Sequence, residues 1–418
     1  MGRQALNYKN KKLFIEDVGF EKLVEKFGTP LYVYSFSELT KSIKTYKEAF
    51  SSCKTLFCYA CKANSSLELL NIMRKSGFGT DIVSRGELFV SLKAGVPPDR
   101  IVYSGVGKRE DEIVDALDAN ILMFNVESEE ELLEINRVAL NLNKKARVSF
   151  RINPDVDPET HRYISTGLAL SKFGIDIKDA EKHYQNAVKL KGIEVVGCQM
   201  HIGSQLTKLS PVVEACGKLV DLVKRLREKG VRITYLDLGG GLGITYKNEK
   251  VPGPGRLAEK ILPLIKQLDV ILILEPGRSI VGNSGVLLTE VLYFKNKHNK
   301  NFIIIDAGMN DLIRPSLYDA YHEIVPCVIN NSKKIRADIV GPVCESGDFL
   351  AKDRLIPLVH KNDYLCVRSA GAYGFSMASN YNLRLKPAEV IVNNDKFYLI
   401  RERELLDDLL NHQKIAGL

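Results

Sequence analysis

Tyr59-Ala60-Cys61-Lys62-Ala63-Asn64 is the stretch whose reading decides the fold. Ahead of it, Lys54-Thr55-Leu56-Phe57-Cys58 opens a short run rich in aromatic and apolar side chains, the pattern of a buried strand. Behind it, residues 66–75 carry apolar side chains at helical spacing. Lys62 therefore stands where a buried strand hands over to a helix. Desolvation there disfavours the ammonium form and leaves an amine able to attack a carbonyl carbon. Taken alone, a lysine that follows a strand into solvent explains the same residues as simply.

The same alternation continues down the chain. Strands are expected near 79–82, 101–103, 121–124, 147–150, 194–200, 234–238 and 270–274. Amphipathic helical runs lie between them, at 85–94, 128–140, 211–229 and 256–268 among others. With the strand before Lys62 that makes eight strand–helix alternations, the count of a (β/α)8 barrel over residues 37–280. After Arg278 the pattern changes to strands parted by turn residues, at 284–296, 302–305, 320–329, 334–340, 363–369 and 389–399, with a short helix at 402–412. The expected architecture is α/β: a barrel at 37–280 plus a C-terminal all-β domain, 281–418, joined by the N-terminal segment 1–36 with its strand Leu31-Tyr32-Val33-Tyr34.

The chain's 418 residues are ample for two domains of this size. The net charge of +8 is spread thinly, without a basic stripe interleaved with aromatics, so nucleic-acid binding has little support. The start, Met1 to Lys12, is polar and lacks the apolar core of a signal peptide, and no apolar run approaches a membrane span. A cytoplasmic protein is expected, and the eight scattered cysteines suit reduced thiols. Cys58 and Cys61 have CxxC spacing, but on a strand their side chains face opposite ways, so no metal is expected there.

In a barrel the chemistry gathers at the carboxyl ends of the strands. Just past the expected strands fall Lys62, Ser84, Asn125, Arg151, His201, Gly239-Gly240-Gly241 and Glu275-Pro276-Gly277-Arg278. Loops are polar in general, but that does not account for a lysine, a histidine and three consecutive glycines. The glycine run offers bare backbone N–H groups that suit a phosphate, and a second glycine turn leaves the neighbouring strand. A lysine on the first strand and a phosphate cradle on the seventh and eighth point to pyridoxal 5'-phosphate, held by Lys62 as a Schiff base. Glu275 is then placed to pair with the pyridine nitrogen, His201 to lie against the ring, and Ser204 to donate to the phosphate.

At these residues the chain resembles the diaminopimelate decarboxylase family, of the alanine-racemase-like (type III) pyridoxal-phosphate enzymes. The resemblance runs through Tyr59–Asn64, Asp81-Ile-Val-Ser-Arg-Gly-Glu87, the motif from His161 to Gly174, His201-Ile-Gly-Ser-Gln205 and Gly239-Gly-Gly-Leu-Gly243. It continues in Glu275–Arg278, Arg314-Pro-Ser-Leu-Tyr318, Cys344-Glu-Ser346 and Ala372-Tyr-Gly374. Arg85 departs from the small residue usual in the family.

The resemblance implies decarboxylation of meso-2,6-diaminopimelate to L-lysine and CO2, the last step of lysine biosynthesis. It implies that Lys62, Gly241, Gly277, Arg278 and Tyr373 serve the cofactor, and that Arg278, Arg314, Tyr318, Glu345 and Tyr373 contact substrate. Cys344 is implied as proton donor, reaching the site of a partner subunit in a homodimer with shared sites. Arg314 suits a substrate carrying carboxylates at both ends, since a guanidinium grips a carboxylate in two-pronged fashion. Decarboxylation of a basic amino acid such as ornithine or carboxynorspermidine, and a cofactor-binding protein without turnover, are the competing readings. Arg314 speaks against ornithine, and Cys344 against the absence of turnover.

Overall fold

The structure, a computed structural model, describes residues 6–157, 172–298, 300–330 and 332–417. The described residues fall into two compact units, one made of Ser42–Thr245 with Glu249–Ser279 and the other of the remainder. No helix among the described residues is long and apolar enough to cross a membrane.

The first unit is a closed parallel barrel. Its strands are β1 (Thr55–Ala60), β2 (Gly79–Ile82), β3 (Ile101–Tyr103), β4 (Met123–Val126), β5 (Ala146–Asn153), β6 (Ile193–Gln199), β7 (Tyr235–Asp237) and β8 (Ile271–Leu274). Each pairs in parallel with the next, and β8 closes on β1 through Leu272–Leu274 against Thr55–Phe57. Strands buried on both faces favour apolar residues, as Ile101–Tyr103 and Ile271–Leu274 show, while β2 and β4 also bury the polar Thr80, Asp81 and Asn125. Cys58, Val102, Met123, Val196 and Ile273, from five of the strands, pack into one cluster inside the barrel. Truncating Met123 or Ile273 to alanine would cost about 2–5 kcal/mol.

All eight expected strands exist. The fourth begins two residues later than expected, because Ile121 and Leu122 belong to the buried approach rather than to the ladder. Lys62 sits not on the strand but on the single 3-10 turn Cys61–Ala63 that follows it.

The second unit is built on a sheet running, in order, Phe349–Pro357, Lys334–Val340, Lys300–Ile305, Gly285–Lys297, Leu31–Ser35, Ala388–Asn393 and Lys396–Arg401. The N-terminal strand Leu31–Ser35 lies inside this sheet, antiparallel to Gly285–Lys297 and parallel to Ala388–Asn393. Tyr364–Val367 pairs with both Gly285–Lys297 and Ile324–Pro326. Leu13, Ile15, Phe20, Leu31, Val33, Val286, Leu288 and Val390 share a buried core, so the N-terminal hairpin of Leu6–Lys9 with Lys12–Ile15 and the C-terminal sheet form one body.

Several details differ from the sequence reading. The segment 389–399 is a hairpin rather than one strand, turning at Asn394 in the left-handed region (φ 55°). Only Ile324–Pro326 of 320–329 is strand. Phe349–Pro357 was not anticipated, since its charged residues at 352–354 mask the alternation. The helix expected at 402–412 reduces to a 3-10 segment, Leu406–Leu410, in which Leu406 and Leu410 remain exposed and only Leu409 is half-buried.

Candidate active site

The carboxyl ends of the barrel strands converge on a set of polar side chains. Lys62 Nζ lies 3.0 Å from Asp81 Oδ2; Asp81 is fully buried while the Lys62 side chain keeps 37% exposure. The lysine is thus ion-paired rather than desolvated, unlike the strand-end reading of it. Gly277 brings the Glu275–Arg278 turn against the Lys62 turn: a Cβ there would sit 3.0 Å from those of both Ala60 and Ala63.

Glu275 is buried deep in the barrel, where Asn125 Nδ2 and Gln199 Nε2 each donate to its Oε1 at 3.4 Å. Burial, followed by the neighbouring Asp237 and Asp81 carboxylates, pushes its carboxyl well above the usual range. Burial likewise raises Asp237 to about 6. Asp237 also takes the Gly239 N–H on Oδ1 at 2.8 Å, fixing the start of the glycine run. Two adjacent carboxyls out of water cannot both ionise cheaply, so the pair retains a proton unless a cation is brought to it.

His201 follows β6. Its Nδ1 accepts from the Gly240 N–H at 3.2 Å, and burial, with the Lys62 and Arg151 cations, holds it well below the usual imidazole range. Arg151 is itself fixed by Glu127 at 2.9 Å and donates to the His201 carbonyl at 3.3 Å. Ser204 Oγ accepts from Arg278 Nη2 at 2.9 Å. The glycine run admits no side chains. A Cβ on Gly240 would lie 2.2 Å from the Glu275 carbonyl, and one on Gly241 (φ +105°) 2.4 Å from the Gly203 carbonyl.

The β-rich unit carries the other candidates. Arg314 is buried at the start of the short helix Arg314–Tyr318, its Nη1 2.7 Å from His322 Nε2 and its guanidinium 4.6 Å from the Tyr246 ring centre. Cys344 and Glu345 are exposed, and the Cys344 N–H donates to Asn382 Oδ1 at 2.8 Å. Tyr373 adopts a left-handed backbone (φ 55°) beside Gly374. In the barrel Lys62, His201, Ser204, Gly241, Glu275, Gly277 and Arg278 come together; Arg314, Tyr318, Cys344, Glu345 and Tyr373 belong to the other unit.

Ser84 is a helix cap, its Oγ accepting from the Glu87 N–H, and Arg85 pairs with Asp111 and Asp115 on the surface. Most of the motif from His161 to Gly174 lies outside the described residues. Asp237, Gln199, Tyr246 and His322 escaped the sequence reading. The first two sit inside strands, and only the inward alternation leading to the strand end could have flagged them.

Residues 36–282 match the family model of the pyridoxal-dependent decarboxylase pyridoxal-binding domain. The chain is 54% identical over 403 residues to diaminopimelate decarboxylase of Aquifex aeolicus, covering 96% of each chain. It is 50% identical over 401 residues to that of Neisseria meningitidis serogroup A, covering 96% of this chain and 98% of the relative. Among solved structures, diaminopimelate decarboxylase from Helicobacter pylori complexed with L-lysine superposes with a TM-score of 0.91 at 46% identity, covering 94% and 98% of the two chains. That from M. jannaschii in complex with L-lysine gives 0.94 at 41%, covering 99% and 98%. With the strand-end lysine, glycine cradle and buried carboxyl in place, this likeness over nearly the whole length means that the chain belongs to the diaminopimelate decarboxylase family of pyridoxal-dependent decarboxylases.

Proposed function

We propose that this chain removes CO2 from meso-2,6-diaminopimelate to yield L-lysine, with Lys62 carrying pyridoxal 5'-phosphate. The observation that carries the reading is Lys62 at the strand end of a barrel whose floor is a buried carboxyl pair and whose wall is bare glycine backbone.

The residues present fit the cofactor. The Gly239–Gly241 run leaves no room for side chains and presents backbone to a phosphate, with Ser204 and Arg278 beside it. Glu275 is a carboxyl awaiting a cation, as a pyridinium would supply. The buried Asp81 Oδ1 makes no hydrogen bond among the described residues. Bound there, the cofactor supplies an electron sink for the pair released when the substrate's α-carboxylate departs.

The remaining work falls to the chain's own residues. Lys62, aimed by Asp81, would hold the cofactor through its amine. Glu275 would pair with a protonated ring nitrogen, while Asp237 beside it opposes full ionisation of the two carboxyls. His201, kept neutral by its surroundings, would offer an uncharged face to the cofactor ring. Arg314 grips the distal carboxylate and Glu345 the distal ammonium, with Tyr318, Arg278 and Tyr373 completing the substrate contacts. Cys344 delivers a proton to the α-carbon once CO2 has left.

A homodimer with shared sites is part of this reading. Cys344 and Glu345 stand exposed on their own unit, as residues lent to a partner copy would. A cytoplasmic location suits eight free thiols. The functional division proposed is a cofactor-binding barrel at 37–280 completed by 1–36 and 281–418.

The test is CO2 release by cofactor-loaded protein given meso-diaminopimelate, ornithine, arginine and carboxynorspermidine in parallel. Turnover of diaminopimelate with L-lysine as product supports the reading. Turnover of ornithine or arginine instead would overturn the role given to Arg314.

A further inference from the structure

Arg314 is a charged side chain only 5% exposed, and such a group keeps one geometry only if its neighbours dictate it. The local sequence does so by doubling back. Arg314–Tyr318 forms little more than one helical turn, and Asp319 then takes the left-handed conformation (φ 49°) that ends it. The chain returns and sets His322, fully buried, against the arginine eight residues earlier.

The contacts of His322 define its tautomer. Nδ1 lies 2.9 Å from the Arg368 carbonyl oxygen, which can only accept, so Nδ1 carries a proton. Nε2 lies 2.7 Å from Arg314 Nη1, and a guanidinium can only donate, so Nε2 presents its lone pair. Tyr246 meets the ring edge-on, with ring centres 5.3 Å apart, and Arg354 Nη1 donates to the backbone carbonyl of His322 at 2.9 Å, fixing the main chain that carries the ring. Tyr246 also lies under the guanidinium, so Arg314 is fixed in plane by an imidazole and in tilt by a phenol ring.

We propose that His322 is a positioning residue for substrate recognition: its uncharged imidazole orients the Arg314 guanidinium toward the distal carboxylate. The inference rests on the role given above to Arg314. A carboxylate in the place of His322 would also orient the guanidinium, but it would neutralise the charge and compete with the substrate for it. A neutral acceptor fixes direction without itself neutralising the charge. A hydrogen bond to a charged group of this kind corresponds to about tenfold or more in affinity.

The test compares His322→Leu, His322→Gln, Arg314→Ala and the Arg314→Ala/His322→Leu double variant as cofactor-loaded enzymes with meso-diaminopimelate. His322→Leu should raise KM about tenfold with a smaller change in kcat. His322→Gln, whose amide oxygen can replace the Nε2 lone pair, should recover most of that loss and also serves if the leucine variant does not fold. In the Arg314→Ala background, His322→Leu should add nothing further, because its effect passes through the arginine. If Arg314→Ala raises KM while both His322 variants leave it unchanged, the inference fails alone. Additive effects in the double variant would also overturn it. If Arg314→Ala leaves KM unchanged, the distal-carboxylate reading fails and takes this inference with it.

Discussion

Lys62 Nζ lies 3.0 Å from the fully buried carboxylate of Asp81, an ion pair at the mouth of the barrel. Asp81 is the rigid member, set within β2, and Lys62 the movable one, on a single 3-10 turn. The pairing therefore aims the amine more than it stabilises the fold, since the lysine end keeps 37% exposure and is screened by solvent.

Replacing Asp81 with alanine should accordingly leave the melting temperature changed by only a few degrees. Activity should fall about ten- to a hundredfold, because a misaimed reacting group is costly. Cofactor retained after dialysis, read by absorbance, should fall in parallel. Full activity in the variant would remove Asp81 from the mechanism.

The buried pair Glu275 and Asp237 makes a pH prediction for the cofactor-free protein. The folded state holds both carboxyls above the usual range, Asp237 at about 6, so it binds more protons than the unfolded chain. Stability linked to Asp237 is then fully present below the unfolded aspartate value of about 4, and is lost as pH rises through about 6. The melting temperature of Asp237→Asn minus that of the parent should increase between these limits. A difference independent of pH would contradict the raised carboxyl.

Glu275→Gln should bind cofactor but lose on the order of a hundredfold or more in kcat, because an amide cannot hold the pyridine-nitrogen proton. Glu275→Asp should retain more activity than the glutamine variant. Equal losses in both would mean that position, not charge, is what Glu275 supplies.

Gly241→Ala places a Cβ 2.4 Å from the Gly203 carbonyl at a left-handed backbone position. It should destabilise the protein by about 1–3 kcal/mol and weaken cofactor binding. Gly255, with open space around its Cβ position, is the control: its alanine variant should lose neither. Thermal melts and cofactor titration read both effects.

Cys344→Ala should lower kcat about a hundredfold or more with a smaller change in KM, as expected for loss of a proton donor. If sites are shared, mixing inactive Lys62→Ala and Cys344→Ala subunits should restore part of the activity, because one site in the mixed dimer is then intact. No recovery on mixing would confine each site to one chain.

The barrel was legible because short, mostly buried strands alternate with amphipathic helices, and that alternation survives in the sequence from 55 to 274. The β-rich unit was less so. Its hairpin at Ala388–Arg401 turns on Asn394 without a glycine to mark it, and the charged 352–354 segment hides an edge strand. Site residues were legible where they follow strands, as Lys62, His201 and Glu275 do. Asp237 and Gln199 face inward from within β7 and β6, and the pairing of His322 with Arg314 depends on a left-handed turn at Asp319 that sequence spacing does not announce.

The central claim is that Lys62, and no other lysine, carries the cofactor for this decarboxylation. Borohydride reduction of the loaded enzyme, followed by digestion and mass analysis, tests it directly. The account predicts the phosphopyridoxyl group on the peptide containing Lys62, and its loss in Lys62→Ala. The group on another lysine, such as Lys108 paired with Glu131 beside β3 and β4, would contradict it.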